Sequence, residues 1–227
     1  MRIIRNLAGM AGLVMLLASC HHYSLEGTVS AYGYEGHSLS LVEFKQDGVV
    51  VHDSCVVNHG RFAMNGSVDS TRFVLLCKDG EPVIPMYMEK GNINVNITCT
   101  EMTVSGTRQN DLFYSFLKEK NAIDSRYDEM QQKSIQLAQS GMVNRNEIKA
   151  VRDSIGIIIS ECENLIYGFV SSNYSEQAAI GVFSMLLFGA PNEVSPLINR
   201  ILQTAPESFF AEPAVSEYVR RVGYSRH

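Results

Sequence analysis

The hydrophobic pattern of the chain changes its period near Gly106, and that change divides it in two. Before it, short runs rich in Val, Ile, Tyr and Phe recur at 23–31, 38–44, 49–57, 61–68, 72–77, 83–88, 93–99 and 102–105. Leu39, Leu41 and Glu43 alternate with Ser38, Ser40 and Val42, and Ile93, Val95 and Ile97 alternate with Asn94, Asn96 and Thr98. Successive side chains of a strand point to opposite faces, so this alternation predicts strands with one buried side. Gln46-Asp47-Gly48, Asn58-His59-Gly60, Lys78-Asp79-Gly80 and Lys90-Gly91-Asn92 separate the runs. Glycine after Asn or Asp supplies the positive φ of tight hairpins. Short strands at this spacing predict a small antiparallel sandwich or barrel. Pro82 and Pro85 have no N–H for a ladder, which makes 83–88 an edge strand or a bulged one.

Beyond Gly106 the apolar positions step by three and four. Thr107 or Asn110 is placed to cap a helix that carries Phe113, Phe116, Lys120, Ile123, Tyr127, Met130, Ser134 and Leu137 on one stripe. Ser140-Gly141 breaks the run, and Ile148, Val151, Ile155, Ile158, Cys162, Leu165 and Phe169 form a second stripe. A 3.5-residue repeat favours helices wound on each other. The short break predicts an antiparallel αα-hairpin roughly 40 Å long, packed within the chain or offered to a partner. Residues 175–188 are apolar on most sides, which predicts a buried helix. Asn192 caps the next expected helix, with Pro196 in its first turns, and Pro213 interrupts or restarts a last one over 207–222. Arg220, Arg221 and Arg226 suit a helix C-terminus. The expected fold is thus α+β: an N-terminal antiparallel β-sandwich or barrel over 20–106, then an all-helical segment over 107–227 with a long αα-hairpin.

The first twenty residues follow neither pattern. Arg2 and Arg5 precede an apolar run over 7–17, which ends in Leu17-Ala18-Ser19-Cys20. A basic start, a short apolar core and small residues describe a signal peptide over 1–19, and the run is shorter than the ~20 residues of a membrane-spanning helix. The ending resembles the lipobox of bacterial lipoproteins. That resemblance implies that the Cys20 thiol takes a diacylglyceryl group and becomes the new N-terminus. Two or more acyl chains hold a protein firmly on a membrane. His21-His22-Tyr23-Ser24 follows, with no aspartate after Cys20; by resemblance to sorting signals this implies the outer membrane, facing the periplasm.

Composition narrows the remaining chemistry. The 227 residues carry 19 Lys+Arg against 24 Asp+Glu, a net charge of −5. Without 1–19, 17 Lys+Arg face the same 24 acids over 208 residues. A mildly acidic chain without a basic cluster has no electrostatic footprint for nucleic acid. Cys55, Cys77, Cys99 and Cys162 are widely spaced, and none form C-x-x-C. They are expected to be buried free thiols, with one structural disulfide as the alternative. His52, Cys55 and His59 do not form a metal site on an ideal strand, because His52 and Cys55 fall on opposite faces and His59 lies in a turn. Asp53, Asp69 and Asp79 lie in or near expected turns, where Asp bonds to local backbone. No G-x-S-x-G, H-E-x-x-H, phosphate loop or G-x-G-x-x-G occurs. The expectation is therefore no catalytic residue, no cofactor and no metal, with Cys20 as the single modification site. Tyr32 and Tyr34 flank Gly33 in a loop that suits a sugar or a protein partner, or is a plain loop with part-buried rings.

With both halves laid out, the chain resembles a family of periplasmic lipoproteins found mainly in Bacteroidetes. Tyr23-Ser24-Leu25-Glu26-Gly27-Thr28-Val29 carries the resemblance, as do Asp53-Ser54-Cys55-Val56-Val57-Asn58-His59-Gly60-Arg61-Phe62-Ala63-Met64-Asn65-Gly66-Ser67-Val68, Met88-Glu89-Lys90-Gly91-Asn92-Ile93 and Val104-Ser105-Gly106-Thr107-Arg108-Gln109-Asn110, in that order. The tail from Phe169-Val170-Ser171-Ser172-Asn173 is similar to the family's helical connector. The resemblance implies an N-terminal domain of unknown function 4369, which in the family usually precedes a thioredoxin-like domain of the TlpA and peroxiredoxin kind. Up to His227 there is no W-C-x-x-C motif. The expectation is a membrane-anchored, non-catalytic binding or scaffold module. Alternatives are an accessory or sensor subunit for a separate periplasmic thioredoxin-like protein, or a glycan- or nutrient-capturing protein.

Overall fold

The computed structural model describes residues 21–45, 48–139 and 145–225. Residues 1–19, read from sequence as a signal peptide, Cys20, the Gln46-Asp47 pair, the Ser140-Gly141 break and Arg226 lie outside the described residues. The chain divides into two compact units, Met1–Asn110 and Asp111–His227.

Among the described residues the first unit holds eight strands: β1 (His22–Val29), β2 (Ser38–Lys45), β3 (Gly48–Val56), β4 (Arg61–Ser67), β5 (Arg72–Lys78), β6 (Glu81–Met88), β7 (Gly91–Ile97) and β8 (Met102–Ser105). They form two four-stranded sheets, in the orders β4-β1-β7-β8 and β3-β2-β5-β6. The architecture is a β-sandwich, and a barrel is not formed. Leu25, Phe62, Met64, Ile93, Val95 and Ile97 from the first sheet and Leu39, Leu41, Val74, Leu76, Ile84 and Met86 from the second are buried. One pairing departs from the expected antiparallel pattern: β1 runs parallel to β7. Strands joined by a hairpin must be antiparallel. The chain travels through the other sheet between β1 and β7, so no hairpin constrains this pair.

Local chemistry sets the details. His59 and Gly60, like Asp79 and Gly80, have positive φ (51° and 67°, 50° and 88°), as the Asn-His-Gly and Lys-Asp-Gly turns require. Strand β6 is both an edge and bulged. It ends its sheet, and the register passes from Leu76↔Ile84 to Cys77↔Pro82, leaving Val83 as the extra residue. Leu39, Leu41 and Val42 are all buried, so the alternation read for β2 fails at Val42; the apolar neighbours Val51 and Leu75 lie across from it. Gly27 pairs with Phe62 on β4, and a Cβ at Gly27 would fall inside the Phe62 ring. The ring covers backbone that any other side chain would block.

Helix α1 (Arg108–Gln139) begins while still part of this unit. Thr107 occupies the capping position, but the amides of Gln109 and Asn110 donate to the buried Glu89 carboxylate, at 2.7 and 3.3 Å. A negative group at a helix N-terminus satisfies free amides and complements the dipole. Asn110, read from sequence as a possible cap, does something else. Its side chain accepts from the Tyr87 N–H at 2.9 Å and donates to the Tyr87 carbonyl at 2.7 Å, clamping the helix start to the edge strand.

The second unit contains the rest of α1, then α2 (Arg145–Ser172), α3 (Gln177–Gly189), α4 (Pro196–Thr204), α5 (Glu207–Phe210) and α6 (Pro213–Val222). Helices α1 and α2 form the antiparallel hairpin. Phe116 stacks against Phe169 with ring centroids 4.7 Å apart, Arg126 pairs with Glu161, and Lys133 lies 4.0 Å from Glu147. At 1.5 Å per residue, the 32 residues of α1 span about 48 Å. On α2 the buried residues are Val151, Ile158, Ile166 and Val170; the predicted Phe169 keeps its place against Phe116, and Ile166 and Val170 are buried beside it where α2 also meets α3 and α4.

The terminal helices depart from expectation in two ways. Ser195, not Asn192, caps α4, accepting from Ile198 N at 3.3 Å, with Pro196 in the first turn. Helix α3 buries Ala178, Ala179, Ile180, Val182, Phe183 and Leu187 but leaves Met185 and Phe188 outside, Phe188 at 86% exposure. Phe209 from α5 packs edge-on against Phe183, and Tyr174 donates to the Ile201 carbonyl at 2.7 Å.

Candidate functional site

The outer face of the β4-β1-β7-β8 sheet carries a cleft of about 570 Å³. Strand alternation builds it. Because Leu25, Phe62, Ile93, Val95 and Val104 point into the core, the intervening residues must face out. Register then aligns them in two rows. One runs Ala63, Glu26, Asn94, Ser105; the next runs Arg61, Thr28, Asn96, Thr103. All eight line the cleft. The Thr28 hydroxyl donates to Asn96 Oδ1 at 2.9 Å. Among the described residues, neither the Arg61 guanidinium nor the Glu26 carboxylate has an ion-pair partner. Gly106, at φ 95°, follows Ser105 past the end of β8: a Cβ there would stand 2.5 Å from the Asn92 carbonyl oxygen and 2.6 Å from Asn94 Nδ2.

The chemical capacity of this face is hydrogen bonding. Side-chain amides offer both donors and acceptors, hydroxyls offer both, and one charge of each sign stands among them. The lining has no His, Cys or Tyr, so a nucleophile paired with an imidazole or thiol is not built there.

Other polar clusters serve the fold. Glu35 accepts from the His59 and Gly60 amides at 2.9 and 3.1 Å, and these bonds hold its carboxyl below the usual range. Asp79 accepts from His37 at 2.6 Å and from Ser38 N at 3.2 Å, with its pKa lowered chiefly by the His37 bond. Burial pushes Glu43 up, but the 2.8 Å bond from His52 and the Lys45 and Arg72 charges outweigh it, leaving the carboxyl low.

The residues weighed from sequence are dispersed. His52 bonds to Glu43, while His59 sits in its turn; among the described residues no group of three His, Cys, Asp or Glu is placed to hold a metal. Asp53 lies within β3, not a turn, and accepts from the Tyr23 hydroxyl at 2.9 Å. Asp69 is exposed between β4 and β5. Tyr32 is 95% exposed, but Tyr34 is buried under the Lys78 ammonium, 5.5 Å from its ring, so the two rings do not make one aromatic platform. The four described cysteines are free thiols, yet only Cys77 is buried; Cys55 and Cys162 are half-buried and Cys99 is exposed. Strand β7 ends at Ile97, which puts Cys99 in a turn and not in the strand core expected for it. Burial pushes the Cys55, Cys77 and Cys162 thiols up, away from the thiolate form that attacks disulfides.

Residues 23–113 match the family described as Domain of unknown function (DUF4369). The sandwich with the opening of α1 is therefore a domain of that family. No curated protein and no solved structure shows significant similarity to the chain.

The cleft residues were present in the sequence as the polar half of an alternating pattern. Asn92, Asn94 and Asn96 form the signal. Asparagine is depleted in strands, so its recurrence at alternate positions of β7, with Asn94 and Asn96 in the cleft, is the local trace of this face.

Proposed function

We propose that the protein is a lipid-anchored envelope protein, tethered through Cys20 to the outer membrane and facing the periplasm. In this reading the sandwich is a non-catalytic binding module and the β4-β1-β7-β8 face is its working surface. The observation that carries the reading is the cleft itself: amides, hydroxyls and two opposite charges gathered over four strands. Such a surface recognises by hydrogen bonds and offers little for bond breaking, which needs a nucleophile and base within reach of each other. The apolar run ending in Cys20 supports the tether, and no described helix is long and apolar enough to cross a membrane. An accessory role beside a separate thioredoxin-like protein has the family resemblance alone behind it.

Two measurements test this. Cells fed an alkyne-bearing palmitate analogue should label the protein, and Cys20→Ala should abolish the label and release the chain into the soluble fraction. A photo-crosslinker at Ala63, inside the cleft, should give a light-dependent adduct in intact cells, while one at Gln132 on α1 should not. A label that survives in Cys20→Ala, or an Ala63 probe that never forms an adduct, contradicts the proposal.

A further inference from the structure

We propose that the outer face of the β4-β1-β7-β8 sheet binds a neutral oligosaccharide laid across its strands; this rests on reading that face as the working surface and adds the class of ligand. Adjacent strands lie about 4.8 Å apart, so each four-residue row spans roughly 14 Å, and the two rows stand about 7 Å from each other. This is an elongated, shallow site of about 570 Å³, within the ~300–1,000 Å³ range of small-ligand sites and long enough for about two or three sugar rings.

Side-chain chemistry selects the ligand. Ala63 is the one aliphatic side chain in the two rows, so an apolar ligand finds no large hydrophobic side chain standing on them to cover. One guanidinium and one carboxylate leave the cleft without net charge, which disfavours polyanions. What remains is an array of groups that each donate and accept. Adjacent sugar hydroxyls need such an array, since each is itself donor and acceptor. The Thr28 hydroxyl holds Asn96 Oδ1, which orients the amide so that its N–H groups are presented as donors. Arg61 at the β4 end of one row and Glu26 on β1 in the other add a planar double donor and a planar double acceptor.

Strand propensity gives an independent argument. β7 is an interior strand of its sheet, where Val, Ile or Thr pair best. Asn94 and Asn96 occupy outward positions there at a cost in strand preference. Thr at both positions would make a better strand and a poorer sugar site, so the two roles have opposite signatures.

The test uses the full-length, detergent-purified protein, with maltotriose, cellotriose, xylotriose and mannotriose as calorimetric probes at low and high salt. At least one should bind, with an affinity that salt changes less than twofold. The double variant Asn94→Thr/Asn96→Thr should lose at least tenfold in affinity while its melting temperature stays equal or rises. Binding unchanged in that variant overturns the proposal, as does an affinity that falls steeply with salt. Silence from all four sugars while the Ala63 probe still forms its adduct overturns the ligand class alone. Silence from both overturns the binding reading with it.

Discussion

The two units are held by different kinds of interaction. In the sandwich, residues far apart in sequence are joined by directional bonds: Tyr23 to Asp53, Glu35 to the 59–60 turn, Glu89 and Asn110 to the start of α1 and the edge of β6. In the helical unit the polar bonds are mostly local. Ser125, Ser154, Ser160 and Ser184 each donate to the carbonyl four residues back, and Lys120–Asp124 and Lys149–Asp153 are one-turn ion pairs. Apolar stripes hold the helices together, and Ile157 and Phe188 remain outside them. A stripe tolerates rotation and sliding. A clamp such as Asn110 on Tyr87 does not, which makes the sandwich the unit able to hold side chains at fixed spacing.

The largest effect should come from the core of the sandwich. Phe62→Ala removes the ring over Gly27, and loss of a buried Phe typically costs about 3–5 kcal/mol, read by urea denaturation. A cost under about 1 kcal/mol would show that the ring is not the cover of that backbone. Next, Asn110→Ala removes the two bonds its side chain makes to the Tyr87 N–H and carbonyl. At about 0.5–1.5 kcal/mol net for each of the two hydrogen bonds, the loss should be about 1–3 kcal/mol. It should be accompanied by faster hydrogen exchange at the Tyr87 amide. Unchanged exchange there would remove the clamp from the comparison.

Titration should act on the sandwich from both sides. Glu35, Glu43 and Asp79 have lowered pKa values, so their contribution is present above the unfolded carboxylate pKa of about 4 and is lost as pH falls through the lower folded values. Tyr23 and Tyr87 are pushed up, chiefly by burial. Their contribution holds below about pH 10 and is lost as pH rises beyond it. Thermal melts across pH should therefore show a plateau with two falling limbs, and Glu43→Gln should flatten the acid one. An acid limb identical in Glu43→Gln would assign it to other groups. The smallest effect belongs to the helices. Glu161→Gln breaks the exposed pair with Arg126, for about 0–1 kcal/mol, and the difference should vanish in about 1 M salt. A larger, salt-resistant loss would show that the hairpin, too, depends on a fixed polar contact.

Local sequence carried much of this architecture. All eight strands occur where alternation and turn residues put them, because the period of two and the Gly-containing turns act over a few residues. Pro82 and Pro85 marked the edge strand for the same reason. Three features escaped such reading. The parallel β1–β7 pair depends on a partner some seventy residues away. Asn110 looked like a cap because capping is a local habit, whereas its partner is the backbone of Tyr87. Tyr32 and Tyr34 looked equivalent, and the Lys78 side chain that lies over Tyr34 arrives from β5.

The cleft joins both kinds of information. The sequence by itself determined which residues would face outward, since alternation about a buried Leu25 or Val95 leaves Glu26 or Asn94 no other side. Only the tertiary structure decided that Arg61, Thr28, Asn96 and Thr103 form one row. Register between strands is set by packing of the inner faces across the sandwich, and that packing draws on residues distributed over the whole first unit.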